Sequence, residues 1–305
     1  MNGRTHPDAD ALAEVLARHP YNACEYSRAL ARRCPQFRLQ VEPDVRELEE
    51  DDDFGFDPFG EQDIAAGCYG LKQRFPDRVL VMTSDSCFMN CRHCTRKGLL
   101  RDAEIVRSDE ELYACVDYVK AHPLVRDVLL SGGDPLVLPD EEVMRFVQAF
   151  ADIDQVDVVR VCTRAPCTNP SRVTPALAAM LGNTGKVWVN TQFNCAGELT
   201  PEAVRACVTL VNAGIPVSCQ TVLLAGVNDS VDALLDLFRA LQRARVRPYY
   251  VFQCDPVAGI GHFRVPLEKA QELEIACAER IGGLALPRFV ADIPGSPRKI
   301  PISEL

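Results

Sequence analysis

The chain has 305 residues, 47% of them hydrophobic and 25% charged, enough apolar side chain to bury one large core or two ordinary ones and too much for a disordered tail. With 33 Lys and Arg against 43 Asp and Glu the formal net charge is −10, a field that repels nucleic acid and anionic lipid. No run approaches the roughly 18 apolar residues of a membrane span, and Met1 to Asp10 lacks the apolar centre of a signal peptide, so a cytoplasmic protein with neither nucleic-acid nor membrane partner is expected.

In chain order, 11–16 and 26–33 show apolar residues three and four apart and read as short helices of an accessory region. The acidic run 49–53, followed by Phe54, Gly55, Pro58 and Gly60, reads as an exposed, solvated connector. The expected division is therefore 1–68, a helical region with its connector, and 69–305. Beyond it, β-branched runs at 79–83, 128–130, 156–162, 187–191, 217–224, 248–253 and 289–292 alternate with amphipathic helices such as 109–120, 141–150, 201–213 and 231–244. Ser108 and Thr200 stand where N-caps belong. Near-continuous apolar strands separated by helices predict an α/β fold with a parallel sheet covered by helices, as an open barrel or a doubly wound sheet. Polar residues gather just after strand ends, at Cys87, Ser131 to Asp134, Thr163-Arg164, Asn190 to Asn194 and Asp255, where α/β enzymes place their active sites.

Of the fourteen cysteines, Cys24, Cys34, Cys68, Cys115, Cys207 and Cys277 are scattered singly and read as small core hydrophobes. Cys87-Phe88-Met89-Asn90-Cys91-Arg92-His93-Cys94 is different, with three thiols in eight residues directly after the first core strand. Soft thiolates in so short a loop suit an iron–sulfur cluster or zinc, and zinc would have to enlist His93, awkwardly close to Cys94. Three cysteines on a four-iron cluster leave one iron free to bind a ligand. Two further features are odd on physical grounds. Gln220 places an amide inside an apolar strand, and Gly132-Gly133-Asp134 sets an anion beside two residues that allow close backbone approach.

The spacing C-x3-C-x2-C resembles the signature of radical SAM enzymes, and Asp85 to Arg96 resembles the lysine 2,3-aminomutase branch. The resemblance extends through Arg74-Phe75-Pro76-Asp77-Arg78, Ser131-Gly132-Gly133-Asp134-Pro135-Leu136, Val187-Trp188-Val189-Asn190-Thr191, Arg247-Pro248-Tyr249-Tyr250 with Cys254-Asp255, and Asp292-Ile293-Pro294-Gly295 with Lys299. It implies a partial (βα)6-type barrel after an N-terminal helical extension, with a C-terminal segment carrying a pyridoxal-phosphate lysine. It implies a [4Fe-4S] cluster on Cys87, Cys91 and Cys94, and S-adenosyl-L-methionine held by Ser131, Gly132, Gly133, Asp134 and Gln220, with Gln192, where the family often has histidine, as a further cofactor-binding candidate. Pyridoxal 5'-phosphate is implied on Lys299 as an internal aldimine, with Arg74 and Arg78 near the phosphate.

The implied reaction moves the α-amino group of free L-lysine to its β-carbon through a 5'-deoxyadenosyl radical. Arg96 would grip the substrate carboxylate, and Asp255 and Asp292 its distal ammonium, since two converging carboxylates call for a cation between them. The same machinery could serve ornithine, arginine or a lysine derivative, and the rival of another class is a non-enzymatic iron–sulfur or zinc protein. An electron donor such as flavodoxin or ferredoxin is implied, and a homodimer is compatible. The chain stops shortly after Lys299, short of a tail that carries zinc-binding cysteines in longer members, so no structural zinc is expected.

Overall fold

The computed structural model describes residues 7–49, 55–61, 67–99 and 105–305. Three helices come first, α1 (Pro7–Arg18), α2 (Glu25–Arg33) and α3 (Pro35–Arg38). Then come β1 (Leu71–Phe75), β2 (Arg78–Ser84), α4 (Asp109–Ala121), β3 (Asp127–Gly132), α5 (Asp140–Ala151), β4 (Val158–Cys162), α6 (Ala165–Thr168) and α7 (Pro175–Asn183). The chain continues with β5 (Val187–Thr191), α8 (Pro201–Asn212), β6 (Val217–Leu223), α9 (Val231–Arg243), β7 (Arg247–Gln253), α10 (Leu267–Ala278), β8 (Arg288–Ala291) and β9 (Ile300–Pro301).

The nine described strands form one sheet in sequence order, parallel from β2 to β8, with β1 and β9 antiparallel at its edges. Every helical crossover advances one strand in the same direction, and right-handed crossovers then put all the helices on one face. A sheet covered on one face only curls around the other, giving the partial barrel. A doubly wound sheet needs a reversal of strand order that is absent among the described strands.

Register explains the barrel's two faces. Leu130, Val161, Val189 and Val217 lie side by side across four strands and are all buried. The neighbouring row, Leu129, Arg160 and Trp188, is more open, with Trp188 41% exposed. The strands are therefore apolar toward the helices and mixed on the concave side, where Arg160 forks onto Asp127 at 2.9 and 2.5 Å. This corrects the expectation of strands apolar throughout, because only one face of a barrel strand meets helices.

Ser108 and Thr200 are the N-caps of α4 and α8, Ser108 in a full capping box with Glu111. Ser230 caps α9 in the same way. The antiparallel β1 escaped the sequence pattern because Lys72, Gln73 and Arg74 hide the strand periodicity of an edge. Helix α10 escaped because it buries only the stripe Ala270, Leu273 and Cys277. Among the described residues no helix is long and apolar enough to cross a membrane.

The N-terminal region is more than an accessory. Asn22 and Cys24 pair with the backbone of 88–90 (Asn90 N to Asn22 O 2.8 Å, Cys24 N to Phe88 O 2.9 Å), and Arg92 N donates to Gln40 O at 2.9 Å. Residues 50–54, with most of the acidic run, lie outside the described residues. The segment 55–61 is not a solvated linker, since Gly55 bridges to Val257 and Phe59 stacks on the Arg74 guanidinium at 4.5 Å. This corrects the connector reading there, because charge and glycine content are silent about long-range pairing.

Candidate active site

Cys87, Cys91 and Cys94 lie on the loop that leaves β2 at the carboxyl end of the parallel strands, all three partly buried. Burial, and then the neighbouring Cys91, pushes the Cys94 thiol up to about 11. Burial likewise raises Cys87, with Cys94, Asp134 and Cys91 adding to it. Thiols that oppose one another's ionisation are stable as thiolates only with a compensating cation, and a bound metal deprotonates them outright. Among the described residues no three His, Cys, Asp or Glu side chains converge where a single ion would sit. An iron–sulfur cube takes each thiolate on a separate iron and needs no such point, so the donor set fits a cluster.

The residues between the cysteines anchor the loop. Arg92 is fully buried, pairing through Nε with Glu47 at 2.8 Å and through Nη2 with the other oxygen, while Nη1 donates to His19 O at 2.9 Å. Lys97 joins the same carboxylate and donates to Gly259 O at 2.9 Å. Burial would raise Glu47, yet the two cations hold it below the usual carboxylate range. His93 is buried and held neutral by burial, its Nε2 facing the Gln192 and Asn194 amides at 3.1 and 3.3 Å.

The glycine pair serves a purpose the sequence did not disclose. A Cβ on Gly132 would lie 2.5 Å from Ser84 O, and one on Gly133 2.2 Å from Ser86 O. The end of β3 thus rests on the start of the cysteine loop, with Gly133 N donating to Ser84 O at 2.6 Å and Asp134 N to Ser86 O at 2.8 Å. The Asp134 carboxylate accepts from Leu136 N, Thr163 Oγ1 and Arg164 N at 2.9, 2.6 and 2.8 Å. Burial raises this carboxylate, against the pull of Thr163 and of the Leu136, Arg164 and Ala165 backbone N–H groups. Gln220 is half-buried on β6 beside a register shift against β7, and its amide makes no hydrogen bond among the described residues.

The strands β1, β8 and β9 bring together residues more than 200 apart in sequence. Lys299 Nζ lies 2.6 Å from Asp292 Oδ2, and Arg74 Nη2 lies 2.9 Å from Asp292 Oδ1. The Lys299 ammonium is also 4.9 Å from the Phe252 ring and 5.7 Å from that of Phe75. Arg78 covers Phe75 at 3.9 Å and pairs with Asp77 at 2.8 Å. Two protein cations, Lys299 and Arg74, thus pair with Asp292. Burial would raise Asp292, but Lys299 and Arg74 hold it below its usual value. Among the described residues Asp255 has no ion pair of this kind, and burial followed by repulsion from Asp292 lifts it to about 7.

That asymmetry has a consequence for stability. A carboxyl whose folded pKa is raised stabilises the fold fully below its unfolded value near 3.8, and the contribution is lost as pH rises through about 7. Asp292 is shifted the other way and acts only at lower pH. Between pH 5 and 8 wild-type protein should lose roughly 3 kcal/mol relative to Asp255→Asn in urea unfolding. Parallel pH profiles for the two proteins would refute the assignment.

Arg96 meets a partner that sequence reasoning missed. Glu61 clamps its Nε and Nη2 at 2.6 and 2.7 Å, leaving Nη1 with only long contacts of 3.4 Å to Ser131 Oγ and Gly132 O. No local signal marks Glu61, one of several acidic residues in its stretch.

A one-way wound partial barrel with a three-cysteine loop after its first parallel strand defines the radical SAM superfamily, whose family model matches residues 81–238. The chain is 41% identical over 270 residues to the L-lysine 2,3-aminomutase of Fusobacterium nucleatum, covering 88% of this chain and 63% of that one. It is 39% identical to a putative L-lysine 2,3-aminomutase of Aquifex aeolicus, covering 87% and 72% of the two chains. The chain belongs to the lysine 2,3-aminomutase family. It spans 56–63% of the length of several curated relatives that it matches. The crystal structure of Streptococcus suis SuiB bound to S-adenosylmethionine superposes with a TM-score of 0.53 at 13% identity over 72% of this chain and 51% of that one, a likeness of fold alone.

Proposed function

We propose that this chain moves the α-amino group of L-lysine to the β-carbon. The observation that carries the reading is the convergence of Asp255 and Asp292, which follow β7 and β8, with Arg74 and Lys299. Family membership implies a [4Fe-4S] cluster, S-adenosylmethionine and pyridoxal phosphate. When bound, the first two supply a carbon radical able to abstract hydrogen, and the third a π-system across which nitrogen can shift.

On this reading Cys87, Cys91 and Cys94 hold the cluster, while Ser131 to Asp134, Gln192 and Gln220 border S-adenosylmethionine. Lys299 is the nucleophilic amine for pyridoxal phosphate, with Arg74 and Arg78 as candidate partners of its phosphate. Release of Lys299 from Asp292 would leave that carboxylate, together with Asp255, to receive the distal ammonium of the substrate. Arg96 offers its Nη1 side to the substrate carboxylate while Glu61 holds the other edge. Phe75 and Phe252 flank Lys299 with apolar ring surface. The electron comes from a small donor protein such as flavodoxin or ferredoxin.

The test is anaerobic turnover of cluster-reconstituted protein with S-adenosylmethionine, pyridoxal phosphate, dithionite and L-lysine, with β-lysine followed by mass spectrometry. Formation of β-lysine is the expected result. Release of 5'-deoxyadenosine without β-lysine, but with a β-amino product from ornithine or arginine, would replace lysine as substrate.

A further inference from the structure

Arg164, the residue after Thr163 at the end of β4, is 8% exposed. Its Nη1 donates to Cys91 Sγ at 3.0 Å, and its Nη2 donates to Gln40 Oε1 at 2.6 Å, with Glu198 Oε2 farther off at 3.4 Å. The Nε is buried with no hydrogen-bond partner among the described residues. Its backbone N–H is tied to Asp134. The Glu198 carboxylate is itself shared, accepting from Gln40 Nε2 at 2.6 Å, Asn194 N at 2.9 Å and the Cys167 thiol at 3.3 Å. A buried guanidinium normally takes a carboxylate in a two-pronged grip, as Arg92 and Arg96 do here. Arg164 instead directs one prong at a thiol and leaves another donor unused.

We propose that Arg164 sets the reduction potential of the iron–sulfur centre, acting through Cys91. The inference rests on the reading of Cys87, Cys91 and Cys94 as cluster ligands. One-electron reduction adds negative charge to the cluster and its thiolates. A fixed cation donating N–H to one thiolate stabilises the reduced form more than the oxidised one, so the potential rises. The effect is large because the site is buried and Arg carries its charge at any working pH. Gln40 makes the N-terminal extension part of this device, since its amide accepts from Arg164 and donates to Glu198, holding the fork in place. The electron itself comes from the external donor that the reaction already requires, and no further reactant is needed.

The experiment is EPR-monitored redox titration of anaerobically reconstituted wild-type, Arg164→Gln and Arg164→Lys proteins, with iron and sulfide content measured on each sample. Arg164→Gln should lower the potential until the reduced-to-oxidised ratio at a fixed potential falls about tenfold, which is 59 mV for one electron. Arg164→Lys keeps the charge but not the fork and should shift in the same direction by less than half as much. Should Arg164→Gln fail to fold, the Arg164→Lys shift alone decides. Clusters of unchanged or raised potential would overturn the role of Arg164 while leaving the loop's reading intact. Loss of the cluster from both variants with unaltered circular dichroism would make Arg164 a structural anchor and equally overturn it. Wild-type protein that takes up no four-iron cluster would overturn the reading of the loop, and this inference with it.

Discussion

Lys299→Ala should form β-amino product at least about a thousandfold more slowly than wild type, because no other side chain at that place can act as a nucleophilic amine toward pyridoxal phosphate. The structure allows a sharper version of the experiment. Lys299 is also the ion-pair partner of Asp292, so alanine removes a nucleophile and a charge together and leaves Asp292 with Arg74 alone. Lys299→Arg restores the charge beside Asp292 without a nucleophilic amine. Both variants should therefore fold and take up the cluster, and both should be inactive. Lys299→Arg should also lack the visible absorption that pyridoxal phosphate acquires when carried by a protein amine. Substantial turnover by Lys299→Arg would show that the lysine serves the site through its charge and would remove it from the chemistry.

Glu47→Ala should cost roughly 3–5 kcal/mol, since it strands two buried cations, Arg92 and Lys97, without a counter-charge. For a chain of this size that corresponds to a fall in Tm of roughly 5–8 °C. The cost falls on the active site because Arg92 lies between two of the loop cysteines, and Glu47 comes from the N-terminal region that straps the loop. Weakened cluster retention should accompany the lower Tm, read as iron content after gel filtration. Glu47→Asp keeps the charge on a shorter arm and should fall between the two. A Glu47→Ala protein with wild-type Tm would mean that water or another anion reaches Arg92, contrary to its complete burial.

The parts of this protein legible in its sequence are those that depend on near neighbours. The strand 187–191 and the starts of the helices at Asp109 and Pro201 were readable because apolar periodicity and an N-cap are properties of a few consecutive residues. Three thiols in eight residues likewise marked a metal-binding or cluster-binding loop by spacing alone, and the order of the motifs pointed to the family. The winding of the barrel lay within reach only through the resemblance, since alternating strands and helices suit two architectures equally. Partnership is what only the tertiary structure decided. Arg92 lies 45 residues from Glu47, Arg96 lies 35 from Glu61, and Arg74 lies 218 from Asp292. A charged residue in a sequence carries no mark of which opposite charge the fold will bring within 3 Å, because that choice is made by how the N-terminal region packs on the cysteine loop and how the sheet curls to bring β1 near β8. The sequence by itself therefore determined the family to which this chain belongs and the residues its motifs single out. The fold decided that Lys299 rests on Asp292, that Glu61 holds Arg96 and that Arg164 faces Cys91, because ion pairs between distant residues are consequences of packing and have no local cause.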